Sequence, residues 1–384
     1  MIYAQWLHSV PGIGAAALDR MLQADLTARD IYRMDERRLH GCGLFSETQI
    51  AAVLAQHAKD PQAEWEKLVS AGIRFVCREN RTIPGKLLRI TRPPYGLYVI
   101  GKLPDERRFS VAVVGARECT SYGAAVSRKI GKELAENGVV VISGMARGVD
   151  GCAHRGALDA DGCTVAVLGC GIDRCYPSVN RDLYRRIPEK GCLISEFAPG
   201  TAALSENFPQ RNRIISAFSD CVIVAEARRR SGSLITAELA AEQGKDVYAV
   251  PGPVDSVLSY GCHHLIHQGA GIWYSMSEFL HDQSMDFGGH VPDEAVRSLE
   301  LSQRKVYSAV VLLPKSIEEI GRETGIKSRD LIQILLDLQL KGLIAEIGKG
   351  RYVRLQAADP EEKEVENSGD ESGYCGVTGQ DKDH

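Results

Sequence analysis

The sequence predicts an α/β fold, in which a Rossmann-like, doubly wound and mostly parallel sheet is flanked by a smaller domain on either side. Between residues 111 and 274, short apolar runs alternate with polar segments of helix length, a pattern typical of parallel strands joined by crossover helices. With 384 residues, the chain is also long enough for two or three domains. We expect strands at residues 111–114, 139–142, 165–168, 193–195, 222–224 and 247–250.

Residues 1–75 are predicted to form a helical domain of the helix-hairpin-helix or SAM-like type. Apolar residues recur at helical intervals around Val10-Pro-Gly-Ile-Gly14, a turn whose backbone amides could hold a nucleic-acid phosphate. An ordinary tight turn between two helices explains the same residues equally well. A second turn, Gly41-Cys-Gly43, repeats the pattern and suggests two small hairpins.

The sheet domain is expected at residues 76–282, followed by a polar linker with glycine and proline at 283–297. Residues 298–356 are predicted to give three helices and a β-hairpin, an order that resembles a winged helix. The expected recognition helix at 328–341 offers one arginine but also two aspartates, whereas major-groove readers present cations and amides. We therefore expect this domain to contact a protein, or to make only weak accessory contacts with DNA.

The acidic residues are concentrated at one end of the chain. Residues 357–384 carry nine acidic and two basic side chains and lack an apolar pattern, so we expect a disordered acidic tail there. Because the whole chain has a net charge of −4, the remainder has a charge of +3. This mildly basic body is compatible with a polyanionic partner, although charge alone does not identify one.

The sequence predicts a cytoplasmic protein without a membrane span. It contains no run of about 18 apolar residues, and its N-terminus lacks the pattern of a secretion signal. Its eleven cysteines include no Cys-x-x-Cys pair and no regular framework spacing, which indicates reduced thiols rather than disulfides.

Arginines and glycines follow the predicted strands, at the carboxyl edge where doubly wound sheets bind ligands. Arg117 and Arg147 lie in the loops after the first two strands, and Arg117 is expected to clamp a phosphate that is held by the amides of the next helix. Arg211 and Arg213 precede a buried strand, and the Ser231-Gly-Ser233 turn opens the helix after it. These groups bind phosphates, and alone they break no bond.

Cofactor and metal sites are not expected. Neither a Gly-x-Gly-x-x-Gly run nor a Walker Gly-Lys-Ser/Thr motif is present, which disfavours NAD and a P-loop nucleotide site. Cys262, His263 and His267 lie close together on a probable helix, but no further ligand pair accompanies them, so a packed helix is the better interpretation.

Two further residue groups allow both a functional and a structural interpretation. Asp150 and His154 are four apart on a predicted helix and could act as an acid/base pair, but without a partner nucleophile we favour a contact that positions the loop. Phe208 could stack on a nucleic-acid base or could pack at the entrance of its helix, and packing is favoured for a single aromatic residue. The run from Arg228 to Arg230 could be a solvated face, but the adjacent Ser231-Gly-Ser233 turn, whose amides could surround an anion, makes that interpretation incomplete.

Taken in order, these motifs resemble the DNA processing protein A family, also called Smf, over roughly residues 80–280. The segments that carry the resemblance are Gly115-Ala-Arg117 with Tyr122-Gly123, Ser143-Gly-Met-Ala-Arg-Gly-Val-Asp150 with Ala153-His154, Ala166-Val-Leu-Gly169 with Tyr176-Pro177, Ser195-Glu-Phe197, Phe208-Pro-Gln-Arg-Asn-Arg213 and Ser231-Gly-Ser-Leu-Ile-Thr-Ala237. The flanking helical module and winged helix resemble the flanking domains of the same family.

The resemblance implies a non-enzymatic cytoplasmic bacterial protein that binds incoming single-stranded DNA during natural transformation, protects it and helps to load the recombinase RecA. It also implies a homodimer formed through the Rossmann-like domain. Two residues depart from the family pattern: Gln210 stands where a basic residue is common, and His263 where asparagine is common. The expected DNA- or phosphate-binding residues are Gly115, Arg117, Ser121, Tyr122, Gly144, Arg147, Gly148, Arg211, Asn212, Arg213, Ser231, Gly232 and Ser233.

Two alternatives remain open at this point. The turn from Ser231 to Glu238 also resembles that of lysine-decarboxylase-like nucleotide or phosphoribosyl hydrolases, in which case Glu238 or Glu226 would be the catalytic acid. The sheet could instead be a dimeric platform for protein partners, which would bind oligonucleotides weakly or without dependence on salt.

Overall fold

The computed structural model describes residues 1–283, 299–310, 315–341, 343–346 and 350–354. These residues divide into two units, Met1–Gln283 and Ser284–His384, and each unit is described by itself. All but the first residue of the expected linker at 283–297, and the whole expected tail at 357–384, lie outside the described residues.

The first unit contains one mixed sheet. Its nine strands stand in the order β1-β2-β6-β5-β4-β3-β7-β8-β9, and every neighbouring pair is parallel except β1 with β2 and β2 with β6. The strands are β1 Arg74–Cys77, β2 Gly96–Gly101, β3 Ser110–Val114, β4 Val140–Ser143, β5 Thr164–Leu168, β6 Cys192–Ser195, β7 Cys221–Val224, β8 Val247–Ala249 and β9 Gly271–Ile272.

The six strands predicted from sequence are confirmed. The parallel centre is buried on both faces, which explains why β3, β5 and β7 are continuous apolar runs rather than alternating ones. The pattern before residue 111 did not reveal the antiparallel strands β1 and β2, and β9 is only two residues long.

Thirteen α-helices of the first unit cover this sheet. They are α1 Ile2–His8, α2 Ala15–Gln23, α3 Ala28–Arg33, α4 Glu36–Gly41, α5 Glu47–Gln56, α6 Pro61–Ser70, α7 Ser121–Glu136, α8 Val149–Asp159, α9 Arg181–Lys190, α10 Asn207–Phe218, α11 Gly232–Glu242, α12 Tyr260–His267 and α13 Met276–Asp282.

The topology itself predicts where a ligand binds. From β3 the chain adds β4, β5 and β6 on one side, and it then returns to place β7 against the other side of β3. The order of strands therefore reverses between β3 and β7, and doubly wound sheets bind their ligands at such a switch point, beyond the carboxyl ends of the strands.

The first six helices pack against the antiparallel edge of the sheet. Trp6 and Met21 share a hydrophobic core with Phe75 and Tyr98, and the Trp6 indole Nε1 donates a hydrogen bond to the carbonyl oxygen of Gln56 at 3.2 Å. The turn between α1 and α2 contains Gly12 with a φ of +80°, a conformation that favours glycine. The helical segment predicted before the sheet is thus present, and its helix-hairpin-helix identity stays a prediction.

In the second unit, the described residues form helices and a small antiparallel sheet. The elements are α14 Leu301–Ala309, β10 Lys315–Ser316, α15 Ile317–Thr324, α16 Ser328–Leu340, β11 Ile344–Glu346 and β12 Arg351–Arg354, with strand order β10-β12-β11. Val306, Ile320, Leu335 and Ile344 belong to its core. The winged-helix assignment of residues 298–356 stays a prediction.

Two general expectations can be compared with the described residues. None of their helices is both long and apolar enough to cross a membrane. Their ten cysteines are free thiols, and Cys163, Cys192 and Cys221 are buried, as their apolar sequence surroundings predict.

Candidate functional site

A cavity of about 310 Å³ lies at the carboxyl edge of the sheet, at the switch point between β3 and β7. Its walls come from the loop after β3, from α10 and from the start of α11. Seven of the expected binding residues line it: Gly115, Arg117, Arg211, Asn212, Ser231, Gly232 and Ser233. Ala146, Asp150, Phe208 and Arg230 line it as well.

Arg211 is the fixed cation of this cavity. Its side chain is buried, and its Nη1 donates hydrogen bonds to the carbonyl oxygens of Gly144, at 2.8 Å, and Val167. Gly144 allows this approach because a Cβ there would stand 2.4 Å from Nη1. Burial lowers the pKa of Arg211 to about 10, so the guanidinium remains charged at neutral pH, and its buried Nε has no hydrogen-bond partner within the described parts of the chain.

Asp150 holds the loop after β4 in shape. Its buried carboxylate accepts hydrogen bonds from the amides of Gly144, at 3.1 Å, and Ala146, at 3.3 Å. Burial raises the pKa of Asp150, and the nearby Arg211 opposes that rise. Gly148 closes the loop with a φ of +71°, where a Cβ would stand 2.3 Å from the carbonyl oxygen of Ala116. Asp150 therefore positions the loop.

Phe208 lies between two guanidinium groups. It belongs to the first turn of α10, and its ring centroid is 4.9 Å from Cζ of Arg117 and 6.0 Å from Cζ of Arg211. Cation–π contacts of this kind orient a guanidinium without neutralising its charge. Arg117 itself is exposed. An aromatic ring with one exposed and one buried guanidinium group beside it is thus part of the cavity wall.

The start of α11 supplies the second attractive feature for an anion. Ser231 caps the helix by accepting a hydrogen bond from the Ser233 amide at 3.4 Å, and Gly232 is exposed. Asn212 ties α10 to this turn, because its Nδ2 donates to the carbonyl oxygen of Gly232 at 3.1 Å. The positive end of the α11 dipole therefore faces the cavity, next to Arg230.

The start of α7 is different from what the sequence predicted. The buried carboxylate of Glu226 accepts hydrogen bonds from the Thr120 amide, at 2.8 Å, and the Thr120 hydroxyl, at 2.5 Å. This internal carboxylate takes the place where a phosphate was expected. Ser121 is exposed beyond it, and the hydroxyl of Tyr122 donates to the carbonyl oxygen of Pro251 at 2.9 Å. Neither residue lines the cavity.

Arg213 does not join Arg211, although the sequence suggested one pocket for both. Successive helical residues are about 100° apart, so side chains two positions apart point in nearly opposite directions. Arg213 pairs instead with Glu196, and both side chains are largely buried. Arg147 is exposed and also lies outside the cavity lining.

The structure does not assemble an acid/base pair from Asp150 and His154. His154 is buried, and its Nδ1 forms a 2.7 Å hydrogen bond with the hydroxyl of Thr164, which itself donates to the carbonyl oxygen of Val141. Nδ1 therefore carries the proton in this bond. Burial lowers the pKa of His154 to about 3, so the imidazole is neutral at physiological pH.

The hydrolase alternative is not favoured by the positions of its two candidate acids. Glu226 is bonded to Thr120. Glu238 lines a separate cavity of about 390 Å³, together with Lys245 and Asp246. A nucleotide held in the arginine-lined cavity would therefore not meet Glu238.

No cluster of metal-ligating side chains occurs in the ranges that the structure describes. His263 departs from the family pattern. Its Nε2 atom forms a 3.0 Å hydrogen bond with the carbonyl oxygen of Gly252. Gln210, the other departure, is exposed on α10.

Sequence reasoning underestimated two residues of the site. For Phe208 the sequence favoured helix packing, and for Arg230 it left a solvated face as one of two interpretations, yet both residues line the cavity. The signal was available for Phe208, since it stands three residues before Arg211 and shares its side of the helix. For Arg230 the sequence offered only its position just before the Ser231 cap.

The fold and the site together define an α/β protein with a doubly wound sheet and a cationic cavity at its switch point. Its ligand site combines arginine guanidinium groups, close-packed glycines and an open helix amino end at the switch point of the sheet.

Comparisons with known proteins specify the family. The sequence profile of the DNA recombination-mediator protein A family matches residues 74–284. The chain is 39% identical to protein Smf of Escherichia coli over 292 residues, which cover 73% of this chain and 77% of that protein. The chain therefore belongs to the DNA recombination-mediator protein A family, whose role lies in DNA processing and recombination.

Two solved structures are similar to the fold. The X-ray structure of DNA processing protein A from Streptococcus pneumoniae aligns with a TM-score of 0.63 and 33% identity, over 73% of this chain and 98% of that one. A structure from Helicobacter pylori, which concerns the single-stranded DNA binding mode of its DNA processing protein A, aligns with a TM-score of 0.51 and 29% identity. That alignment covers 56% of this chain and 96% of the other.

Proposed function

We propose that this protein is a non-enzymatic recombination mediator of natural transformation, which binds incoming single-stranded DNA, protects it and loads RecA onto it. The observation that carries the proposal is the cavity that Arg117, Arg211, Arg230 and Phe208 line beside the open end of α11. Cationic grooves with interleaved aromatic rings are what single strands require, because the phosphates and the unpaired bases must both be bound.

The balance of charge in the cavity supports binding to phosphate. Three guanidinium groups line it, against the single carboxylate of Asp150, which is already bonded to loop amides. Arg117 is exposed, so a long strand can reach it without entering a closed chamber. Such a surface suits a polymer better than a lone nucleotide.

A non-catalytic role is supported by the surroundings of the acidic groups. Asp150 holds a loop, Glu226 caps α7, and His154 is buried and neutral. General acid/base catalysis needs a group that can exchange a proton with the substrate, and these three groups are engaged within the fold.

The partners are proposed from family membership. We assign to this chain the single-stranded DNA that the Helicobacter pylori relative is described as binding, together with RecA and a homodimer through the Rossmann-like domain. The proposed domains are the helical module at 1–75, the DNA-binding domain at 76–282, the linker at 283–297, the winged helix at 298–356 and the acidic tail at 357–384.

The cavity is tested by titrating a labelled single strand with the purified full-length protein across a range of salt concentrations. Arg117→Ala and Arg230→Ala should each weaken binding about tenfold or more, as expected when a charged hydrogen bond is removed. Each should also reduce the slope of log affinity against log salt by about 0.7 for every phosphate that is no longer neutralised.

Arg107→Ala is the matched control. It removes the same charge from an exposed position before β3, at the opposite edge of the parallel sheet. Its affinity and salt slope should equal those of the parent protein. If Arg117→Ala and Arg230→Ala also bind like the parent, this cavity is not the DNA site.

The mediator role needs a separate assay. The parent protein should protect a single strand from nuclease and should speed the assembly of RecA on a strand coated with single-strand-binding protein, whereas Arg117→Ala should do neither well. Release of free base from nucleoside monophosphates, abolished by Glu238→Gln, would instead establish a hydrolase.

A further inference from the structure

Tyr176 extends the aromatic surface of the site beyond the cavity. It lies in the loop after β5 and is 46% exposed. Its ring centroid is 5.6 Å from that of Phe208, and the two ring planes are inclined by 30°. Its hydroxyl has no hydrogen bond among the residues that the structure describes. Tyr176 therefore presents a partly exposed ring at the surface, in contact with Phe208.

The contacts of Phe208 make Tyr176 the more accessible of the two rings. Phe208 is approached by Arg117, Arg211 and Tyr176, and Gly169 packs so closely that a Cβ there would stand 2.7 Å from the Phe208 ring. These neighbours leave the Phe208 ring only partly exposed. Tyr176 contacts Phe208 and is itself 46% exposed, so its ring is the more accessible of the two.

Two other exposed tyrosines of the first unit, Tyr122 and Tyr260, have local partners. The Tyr122 hydroxyl is bonded to the carbonyl oxygen of Pro251 at 2.9 Å. Tyr260 lies beneath the guanidinium of Arg229, with its centroid 5.6 Å from Cζ, and stacks with His264. Tyr176 differs because its ring contact leads directly to the cavity wall.

We infer that Tyr176 is a stacking platform for one unpaired base, next to the phosphate held by Arg117 and Arg211. This inference rests on the proposed binding of single-stranded DNA. Stacking on an aromatic ring is tolerant of sequence, because every base has a flat π-face. A base inside a duplex is already stacked and paired, so the platform favours single strands over double strands.

The residue is tested with two oligonucleotides of equal length and charge, one with normal bases and one in which every base is missing. Tyr176→Ala should weaken binding of the normal strand about fivefold or more, as expected when one base–aromatic stack is removed. Tyr176→Phe keeps the ring and should bind like the parent. The salt slope should stay unchanged in both variants, since each keeps all the arginines that bind phosphates.

The abasic strand separates stacking from a structural effect. The parent protein and Tyr176→Ala should bind the abasic strand with equal affinity, because this strand has no base that could stack on Tyr176. Tyr274→Ala, which removes another exposed tyrosine beyond β9, serves as the matched control and should bind both strands like the parent.

Each outcome decides between the inference and the proposed function on which it rests. Equal binding of the normal strand by the parent and Tyr176→Ala overturns the platform, and so does an equal reduction on the normal and abasic strands. If the parent binds no single-stranded DNA at all, the proposed function fails and the platform fails with it. If the parent binds single-stranded DNA, and the arginine variants weaken this binding but Tyr176→Ala does not, the proposed function stands and the platform alone is rejected.

Discussion

Two helices begin at the same edge of the sheet, and their amino ends are satisfied in opposite ways. At α7 the buried carboxylate of Glu226 accepts hydrogen bonds from the amide and hydroxyl of Thr120. At α11 the hydroxyl of Ser231 accepts a 3.4 Å hydrogen bond from the Ser233 amide and shares a 2.8 Å hydrogen bond with the Ser233 hydroxyl, and the exposed Gly232 follows it. The first end is closed by the chain itself, and the second is open to an external anion.

The difference shows that a glycine-rich loop before a helix does not identify a phosphate site by itself. Both helices follow a strand and a loop with glycine or serine, and both carry the positive end of a helix dipole. The two helices differ because the carboxylate of Glu226, in the loop after β7, bonds to Thr120 at the start of α7, although the two residues are far apart in sequence. We call α7 with its cap Thr120, and α8 with its preceding loop, the closed half of the site, and we call Arg117 with α10 and α11 the open half.

The largest expected effect is a loss of folding stability at low pH, which comes from His154 in the closed half. Burial lowers the pKa of His154 from 6.5 to about 3, so the unfolded chain takes up this proton before the folded protein does. The contribution of His154 to stability is therefore complete above pH 6.5 and is lost as the pH falls toward 3, by about 1.4 kcal/mol per pH unit. Between pH 7.5 and pH 4.5 the free energy of unfolding should drop by about 3 kcal/mol on this account.

Urea unfolding at both pH values measures this drop. His8, whose pKa burial lowers to about 4, adds a loss of the same sign. His154→Gln should flatten the dependence of stability on pH, while His267→Gln, which changes an exposed histidine, should leave it unchanged. Equal pH dependence in the His154 variant and the parent would show that His154 does not resist protonation.

The next effect is the removal of the carboxylate that closes α7. Glu226→Ala leaves the Thr120 amide and hydroxyl without their acceptor, and it should cost about 2 kcal/mol of unfolding free energy, as expected for hydrogen bonds to a charged group. Glu238→Ala removes an exposed glutamate from α11 and should stay within about 0.5 kcal/mol of the parent. Denaturant unfolding of the three proteins decides whether Glu226 has this role.

A smaller effect compares the two capping residues directly. Thr120→Ala removes the 3.0 Å bond from the Gly123 amide and the hydroxyl bond to Glu226, so it should cost about 1–2 kcal/mol. Ser231→Ala removes the 3.4 Å capping bond and the 2.8 Å bond between the two serine hydroxyls, neither of which involves a carboxylate, and should cost about 0.5 kcal/mol. If Ser231→Ala lowered the unfolding free energy more than Thr120→Ala, the start of α7 could not be called closed and the start of α11 open.

The sequence predicted the open half of the site better than the closed half. Periodicity located the six parallel strands, and their carboxyl ends placed Arg117, Arg211 and Ser231 together, as the structure has them. These positions follow from chain order and from the parallel direction of the strands. Local pattern is enough for such a prediction.

The closed half and the Arg213 pair depend on contacts between residues distant in sequence. Glu226 bonds to Thr120, which is 106 positions away in sequence. Arg213 in α10 bonds to Glu196, which lies just after β6. Sequence reasoning had no means to pair these charges, although helical geometry already argued against Arg211 and Arg213 sharing one pocket. The antiparallel strands β1 and β2 were missed for a similar reason, because their partners are set by tertiary packing.

The smallest expected effect on DNA binding comes from the second unit. The described exposed surface of α16 carries the apolar residues Ile332 and Leu336 and the acidic Asp330 beside Arg329 and Gln333, so it is not strongly basic, as the surface of a major-groove reader usually is. Deletion of residues 298–384 should therefore leave single-strand affinity within about threefold of the parent, because the phosphate contacts of the open half remain. Titration of both proteins with the same labelled strand measures this. A collapse of binding in the shortened protein would mean that the open half does not hold the strand alone, and that the contrast between the two helix ends describes only part of the DNA site.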